Sequence, residues 1–141
     1  MLFGRIVLWL AIIAFALGGL AYLVEPAGFA EAAGISFAGA GATDFRATYV
    51  GLPFGLAAFM VWCVLRPSRY PAGLLMLAFV TSGVALIRLL GLAVDGNVLP
   101  FNLMALGLEV PGALLASIAF AKCRRLEPAG SVEAKPPPRV F

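Results

Sequence analysis

Histidine is absent from these 141 residues, and only 12% of them are charged. The first absence excludes histidine metal sites, histidine-based triads and imidazole proton relays. The second argues against a soluble globular domain, in which about a quarter of the residues carry charge. With 62% hydrophobic residues, a chain this short lacks the interior to hide its apolar surface, and lipid has to cover the remainder. Cysteine is scarce too. Cys63 and Cys123 form no C-x-x-C pair and fall near the expected cytoplasmic face, where structural disulfides are rare. They read as ordinary residues. No metal and no cofactor is expected.

The net charge is +3, but the basic residues flank apolar runs instead of forming a face on a polar domain. That pattern writes membrane topology and gives no sign of nucleic-acid binding. The first run, residues 6–24, is preceded by Arg5. It exceeds the ~7–15-residue core of a signal peptide and suits a retained helix, since ~20 residues at ~1.5 Å each match a ~30 Å hydrocarbon core. Glu25-Pro26 ends it. Further spans are expected at about residues 46–65, 72–94 and 101–121, with Thr43 or Asp44 capping the second. Arg66-Pro67-Ser68-Arg69-Tyr70-Pro71 and Asp95-Gly96-Asn97 supply the turns between them. The connection from Pro26 to Thr43 repeats Phe29, Ala33 and Phe37 at helical spacing. Two readings of it stand, a short surface helix and an apolar loop.

The expected fold is all-α: an integral membrane four-helix bundle, up-down-up-down, over residues 1–125. A Pro-rich tail, 126–141, is expected to be disordered and cytoplasmic. Arg5, Arg66, Arg69, Lys122, Arg124, Arg125, Lys135 and Arg139 fall on one side of this arrangement, with Glu25, Glu31, Asp44 and Asp95 opposite. The positive-inside rule then puts both termini in the cytoplasm. Gly51-x-x-x-Gly55 predicts a close helix contact. Pro53 and Pro111 free the carbonyls of Tyr49 and Gly107.

Arg88 and Glu109 interrupt long apolar runs. An arginine at a bilayer centre costs ~2.5–3.5 kcal/mol, so such groups turn inward and pair. Counting residues puts Arg88 roughly 10 Å and Glu109 roughly 12 Å below the same surface, on helices joined by a short turn. Asp95 and Asn102 share their faces, each seven residues away, and Asp44, Arg46 and Tyr49 open the second span at that end. The seven residues Asp44, Arg46, Tyr49, Arg88, Asp95, Asn102 and Glu109 are therefore the candidate cluster. It either fixes helix register or forms a polar pocket for a small anionic or lipophilic ligand.

Asp44-Phe45-Arg46-Ala47-Thr48-Tyr49-Val50-Gly51, Arg88-Leu89-Leu90-Gly91-Leu92 with Asp95-Gly96, and Glu109 resemble a group of small bacterial four-helix membrane proteins, the domain of unknown function 4345 family. The resemblance covers nearly the whole chain before the tail. It implies a bacterial inner-membrane protein and no set activity. The architecture is also similar to DoxX-type membrane proteins, some of which accompany quinone-linked redox systems; that likeness is one of shape alone. Three functions are weighed, in this order. The first is a non-enzymatic accessory or scaffold protein, with lipids, a larger membrane complex or a second copy as partners. The second is a ligand carrier using the polar cluster. The third is an enzyme on a lipophilic substrate with Glu109 or Asp44 as acid or base. Catalysis comes last because no nucleophile–base pair is visible, and an arginine beside a carboxylate lowers the pKa that such a role needs raised.

Overall fold

The computed structural model describes residues 2–96 and 98–125. The expectations for Asn97 and for the tail 126–141 lie outside the described residues. Helix α1 covers Leu2–Val24, α2 Pro26–Ala32, α3 Gly41–Arg46, α4 Leu52–Val64, α5 Tyr70–Asp95 and α6 Pro100–Arg125. A π-helical turn, Ala47–Gly51, joins α3 to α4, and a 3-10 turn, Pro67–Arg69, leads into α5. The described chain is all-helical. Four stretches are long and apolar enough to cross a membrane: Leu2–Val24, Gly41–Val64, Pro67–Asp95 and Pro100–Arg125.

Local chemistry sets most of the boundaries. Pro26 stands at the first turn of α2, where its missing N–H costs nothing. Helix α2 ends in a Schellman arrangement: Ile35 N–H donates to the Ala30 carbonyl at 2.7 Å and Gly34 N–H to that of Glu31 at 2.9 Å. Gly34 takes φ +74°, a left-handed conformation that costs other L-residues ~1–2 kcal/mol. Gly96, at φ +64°, ends α5 in the same conformation. The expected cap at Thr43 or Asp44 needs correction. The helix begins at Gly41 after Ala40, with no side-chain cap, because Thr43 and Asp44 already donate their N–H groups to the Ala40 carbonyl. Asp44 instead sits in the first turn, where a negative charge suits the helix dipole.

Helix α1 packs chiefly on α4, and α5 on α6. Arg88 meets Glu109 while Gly112 lies beside Thr81, so α5 and α6 run antiparallel. The densest packing gathers at one end of the molecule. Leu8, Met60, Leu74, Ala116 and Ala119 have no exposed surface there, and Val7, Val64, Tyr70 and Cys123 pack around them. In lipid, removing a leucine from hydrocarbon gains little, so close van der Waals contact has to hold helices together. Small residues supply it. A Cβ on Gly73 would lie 2.9 Å from the Cys63 Cβ and 3.0 Å from Leu8 Cδ2, and one on Gly4 would lie 2.9 Å from the Cys123 Sγ. The close contact expected at Gly51 and Gly55 is not made within the chain, since a Cβ at either would meet nothing within 4 Å. The same end carries basic side chains laid on aromatic rings. Arg69 stacks 3.8 Å above Trp62, and Lys122 sits 4.9 Å from the Phe3 ring; each charge keeps access to water while its stem covers apolar surface.

Candidate functional site

The opposite end of the molecule is built from aromatic rings around an ion pair. Arg88 of α5 and Glu109 of α6 form it. Arg88 Nη2 donates to Glu109 Oε1 at 2.7 Å, and Nε donates to Oε2 at 3.0 Å and to Oε1 at 3.2 Å. This is a forked geometry, the stronger kind of charge-assisted contact. Nη1 donates to Asn102 Oδ1 at 3.0 Å. One turn of the guanidinium thus ties together three positions on two helices. The side chains of Arg88 and Glu109 are 24% and 17% exposed, so the pair is largely shielded by protein even before lipid surrounds it. A guanidinium has five N–H donors. Three atoms are engaged here, and one N–H on each of Nη1 and Nη2 remains for another acceptor.

Rings wall in this pair. Tyr22, near the end of α1, packs on Phe29 of α2 at 4.7 Å between centroids, on Phe45 of α3 at 5.8 Å and on Tyr49 of the π turn at 5.5 Å. Phe45 stacks on Tyr49 at 4.4 Å and meets Phe37 edge-on at 5.2 Å. Such pairs contribute about 0.5–1.5 kcal/mol each beyond buried area. Phe29 and Phe37 bring the 26–43 connection down onto the helix ends. Of the two readings of that connection, the helix extends only over Pro26–Ala32 and turns follow.

Tyr49 is carried on the π turn. Pro53 has no N–H to donate to the carbonyl of Tyr49, and just before it Leu52 N–H reaches back five residues to Ala47. One extra residue is accommodated in the turn that carries Tyr49, whose ring stacks on that of Phe45, four residues before it. Turns of this kind are rare and recur at functional sites.

Tyr22, Phe29, Ala33, Ile35, Phe45, Tyr49, Arg88, Phe101 and Asn102 enclose a cavity of about 200 Å³. Helices α1, α2, α3, α5 and α6 and the π turn all contribute to it. A second space of about 480 Å³ runs along α1 from Val7 to Tyr22 and along α6 from Gly107 to Leu115, with Glu109 in its wall. It is a mostly apolar groove. A third, of about 680 Å³, follows α5 from Gly83 to Asp95 and touches Arg88 and Asn102.

The seven expected residues therefore separate into groups. Arg88, Asn102 and Glu109 are hydrogen-bonded together, and Tyr49 shares the cavity with Arg88 and Asn102. Asp95 is exposed and shares a groove with Arg88 but forms no ion pair with it. Asp44 and Arg46 are exposed and take no part in the hydrogen bonding around Arg88. The expected convergence of all seven is corrected accordingly. The first turn of a helix spreads its side chains around the axis, and Phe45 occupies the inward position between Asp44 and Arg46. Tyr22 belongs to the site although sequence reading missed it. Its one available signal was a hydroxyl-bearing ring at the end of an apolar run. Among the described residues no group of three metal-binding side chains occurs.

A family model described as Domain of unknown function (DUF4345) matches residues 3–120 of the chain. No curated protein and no solved structure matches it.

Proposed function

Because the chain belongs to the DUF4345 family, whose description carries no activity, its function has to be read from its own residues; we propose that it is an integral membrane protein that binds a small ligand in the aromatic cavity beside Arg88. The observation that carries this reading is the cavity's construction. Six segments converge on about 200 Å³, room for roughly six waters at ~30 Å³ each, with apolar ring walls and a few directed polar groups. That is the usual composition of a small-molecule site. A pair serving only to fix register needs no such space beside it. The cluster acts by binding, and no residue in it is assigned to catalysis.

In this reading the four long helices cross the inner membrane of a bacterium in alternating directions, as one domain over residues 1–125, with both termini in the cytoplasm. Support comes from Arg5, Arg66, Arg69, Lys122, Arg124 and Arg125, which flank the well-packed end, and from the acidic Glu25, Asp44 and Asp95 at the other. The cavity then lies in the periplasmic half. The test is native mass spectrometry of the full chain extracted in mild detergent. The wild type is expected to carry a bound small molecule that Asn102→Leu and Tyr49→Ala lose. An identical set of bound masses in the wild type and both variants would overturn the reading.

A second reading, as an accessory subunit, is favoured by one observation. Gly51 and Gly55 leave open space on α4 and the preceding turn, which suits close approach by another helix. Cross-linking at Gly51→Cys in native membranes tests it, and recovery of uncross-linked chain alone would count against it.

A further inference from the structure

The aromatic cavity and the apolar groove adjoin one another. Tyr22 stands in the walls of both. Arg88 borders the cavity, Glu109 borders the groove, and the two side chains are hydrogen-bonded at 2.7 Å. From Tyr22 the groove follows α1 to Val7, fifteen residues away, or roughly 22 Å at 1.5 Å per residue. That is longer than one leaflet of a ~30 Å hydrocarbon core is deep. Its walls are nearly all apolar, and Leu10, Leu108 and Leu115 are also exposed on the outer surface, so the groove opens sideways between α1 and α6. A chain can enter it from the bilayer without crossing water. Gly18 and Gly107 keep it clear, since a Cβ on either would meet nothing within 4 Å.

We infer that the ligand is a single-chain amphiphile with an uncharged, hydrogen-bond-accepting head, the head in the aromatic cavity and the tail in the α1/α6 groove. This rests on the proposed binding function and assigns its ligand class. The head is uncharged because the lining is. Arg88 is the sole ionisable cation of the cavity, and Glu109 neutralises it through the fork. An anionic head entering a water-poor space would find no net positive charge to replace its lost hydration. The head is an acceptor because every unengaged polar group of the lining can donate, the Tyr22 and Tyr49 hydroxyls included. Arg88 keeps two N–H groups, and Asn102, whose Oδ1 already accepts from Arg88, keeps its amide N–H pair. Carbonyl, ester or hydroxyl oxygens match them.

The probes are 1-monooleoylglycerol, monobutyrin with the same head and a short tail, and oleoyl lysophosphatidic acid with the same tail and a charged head. Each is titrated into the full chain in phosphatidylcholine nanodiscs, and bound stoichiometry is read by native mass spectrometry. Gly18→Leu and Gly107→Leu each place a side chain in the groove, starting from a Cβ position that meets nothing within 4 Å. Each is expected to weaken monooleoylglycerol at least tenfold while leaving monobutyrin within twofold of wild type. Lysophosphatidic acid is expected to bind at least tenfold more weakly than monooleoylglycerol. If neither groove variant changes monooleoylglycerol binding by more than twofold, the tail does not lie there and the inference is overturned, although monobutyrin binding abolished by Asn102→Leu would leave the cavity reading standing. Tighter binding of lysophosphatidic acid would overturn the uncharged head. Failure of both glycerides to bind the wild type would overturn the binding function itself.

Discussion

Replacing Arg88 by leucine removes the donor of every side-chain hydrogen bond that Glu109 and Asn102 of α6 make to α5. Three short contacts to the carboxylate and one to the amide are lost together. Glu109 is then left with a charge in a site only 17% exposed. Stranding a charge in this way costs about 3–5 kcal/mol in soluble proteins. In membranes, measured polar couplings average about 0.6 and reach about 1.7 kcal/mol, because the unfolded helices find other partners in the bilayer. The fork and the shielding place this pair toward the upper end of that range, so a coupling energy of about 1–1.7 kcal/mol is expected. Glu109→Leu leaves Arg88 its bond to Asn102 and is expected to be the milder single change. The double variant Arg88→Leu/Glu109→Leu packs two apolar side chains at the same depth and is expected to be more stable than either single variant plus the other's loss. The assay is reversible unfolding in mixed micelles, followed by the fluorescence of Trp9 and Trp62. Losses that add to within ~0.5 kcal/mol would show that the two side chains do not depend on one another, and the account of the site would lose its anchor.

Gly73→Ala forces a methyl group into Cys63 and Leu8 and is expected to cost about 1–3 kcal/mol. Gly55→Ala, which meets nothing, is expected to gain up to about 1 kcal/mol from helix propensity; both are read as thermal stability in detergent, and equal effects would refute the packing described. Gly34→Ala is expected to cost about 1–2 kcal/mol through its left-handed backbone and to loosen Ile35 at the cavity wall. Limited proteolysis between residues 32 and 41 measures that, and unchanged cleavage would refute it. A reporter fused after Arg125 is expected to give a cytoplasmic signal and one inserted at Gly39 a periplasmic signal; the reverse pattern would overturn the proposed orientation.

Several features were legible in one dimension because their causes are local or act along a single axis. An apolar run of about twenty residues becomes a long apolar helix because the backbone must bond to itself wherever water is absent, and the four such runs correspond to the four long helices. Depth along a helix is a count of residues, so the matching levels of Arg88 and Glu109 could be read before their contact at 2.7 Å was seen. Glu25-Pro26 and Asp95-Gly96 ended helices where their backbone chemistry required.

Azimuth and neighbourhood were decided only by the tertiary structure. Whether a glycine permits close approach depends on another helix being there, which is why Gly73 and Gly4 lie against sulfur and carbon while Gly51 and Gly55 face open space. Asp44 and Arg46 bracket Phe45 in the chain, but a helix turns each residue about 100°, and the aromatic cluster took the ring and left the charges outside. The π turn at Ala47–Gly51 carries Tyr49, whose ring stacks on Phe45 four residues before it. Tyr22 lies sixty-six residues from Arg88 in the chain and joins it in one cavity because α1 packs on the π turn that carries Tyr49 and the Tyr22 ring meets Phe45. Composition and periodicity specify how deep a side chain lies along its own helix; what stands opposite it is set by the packing of all the helices at once.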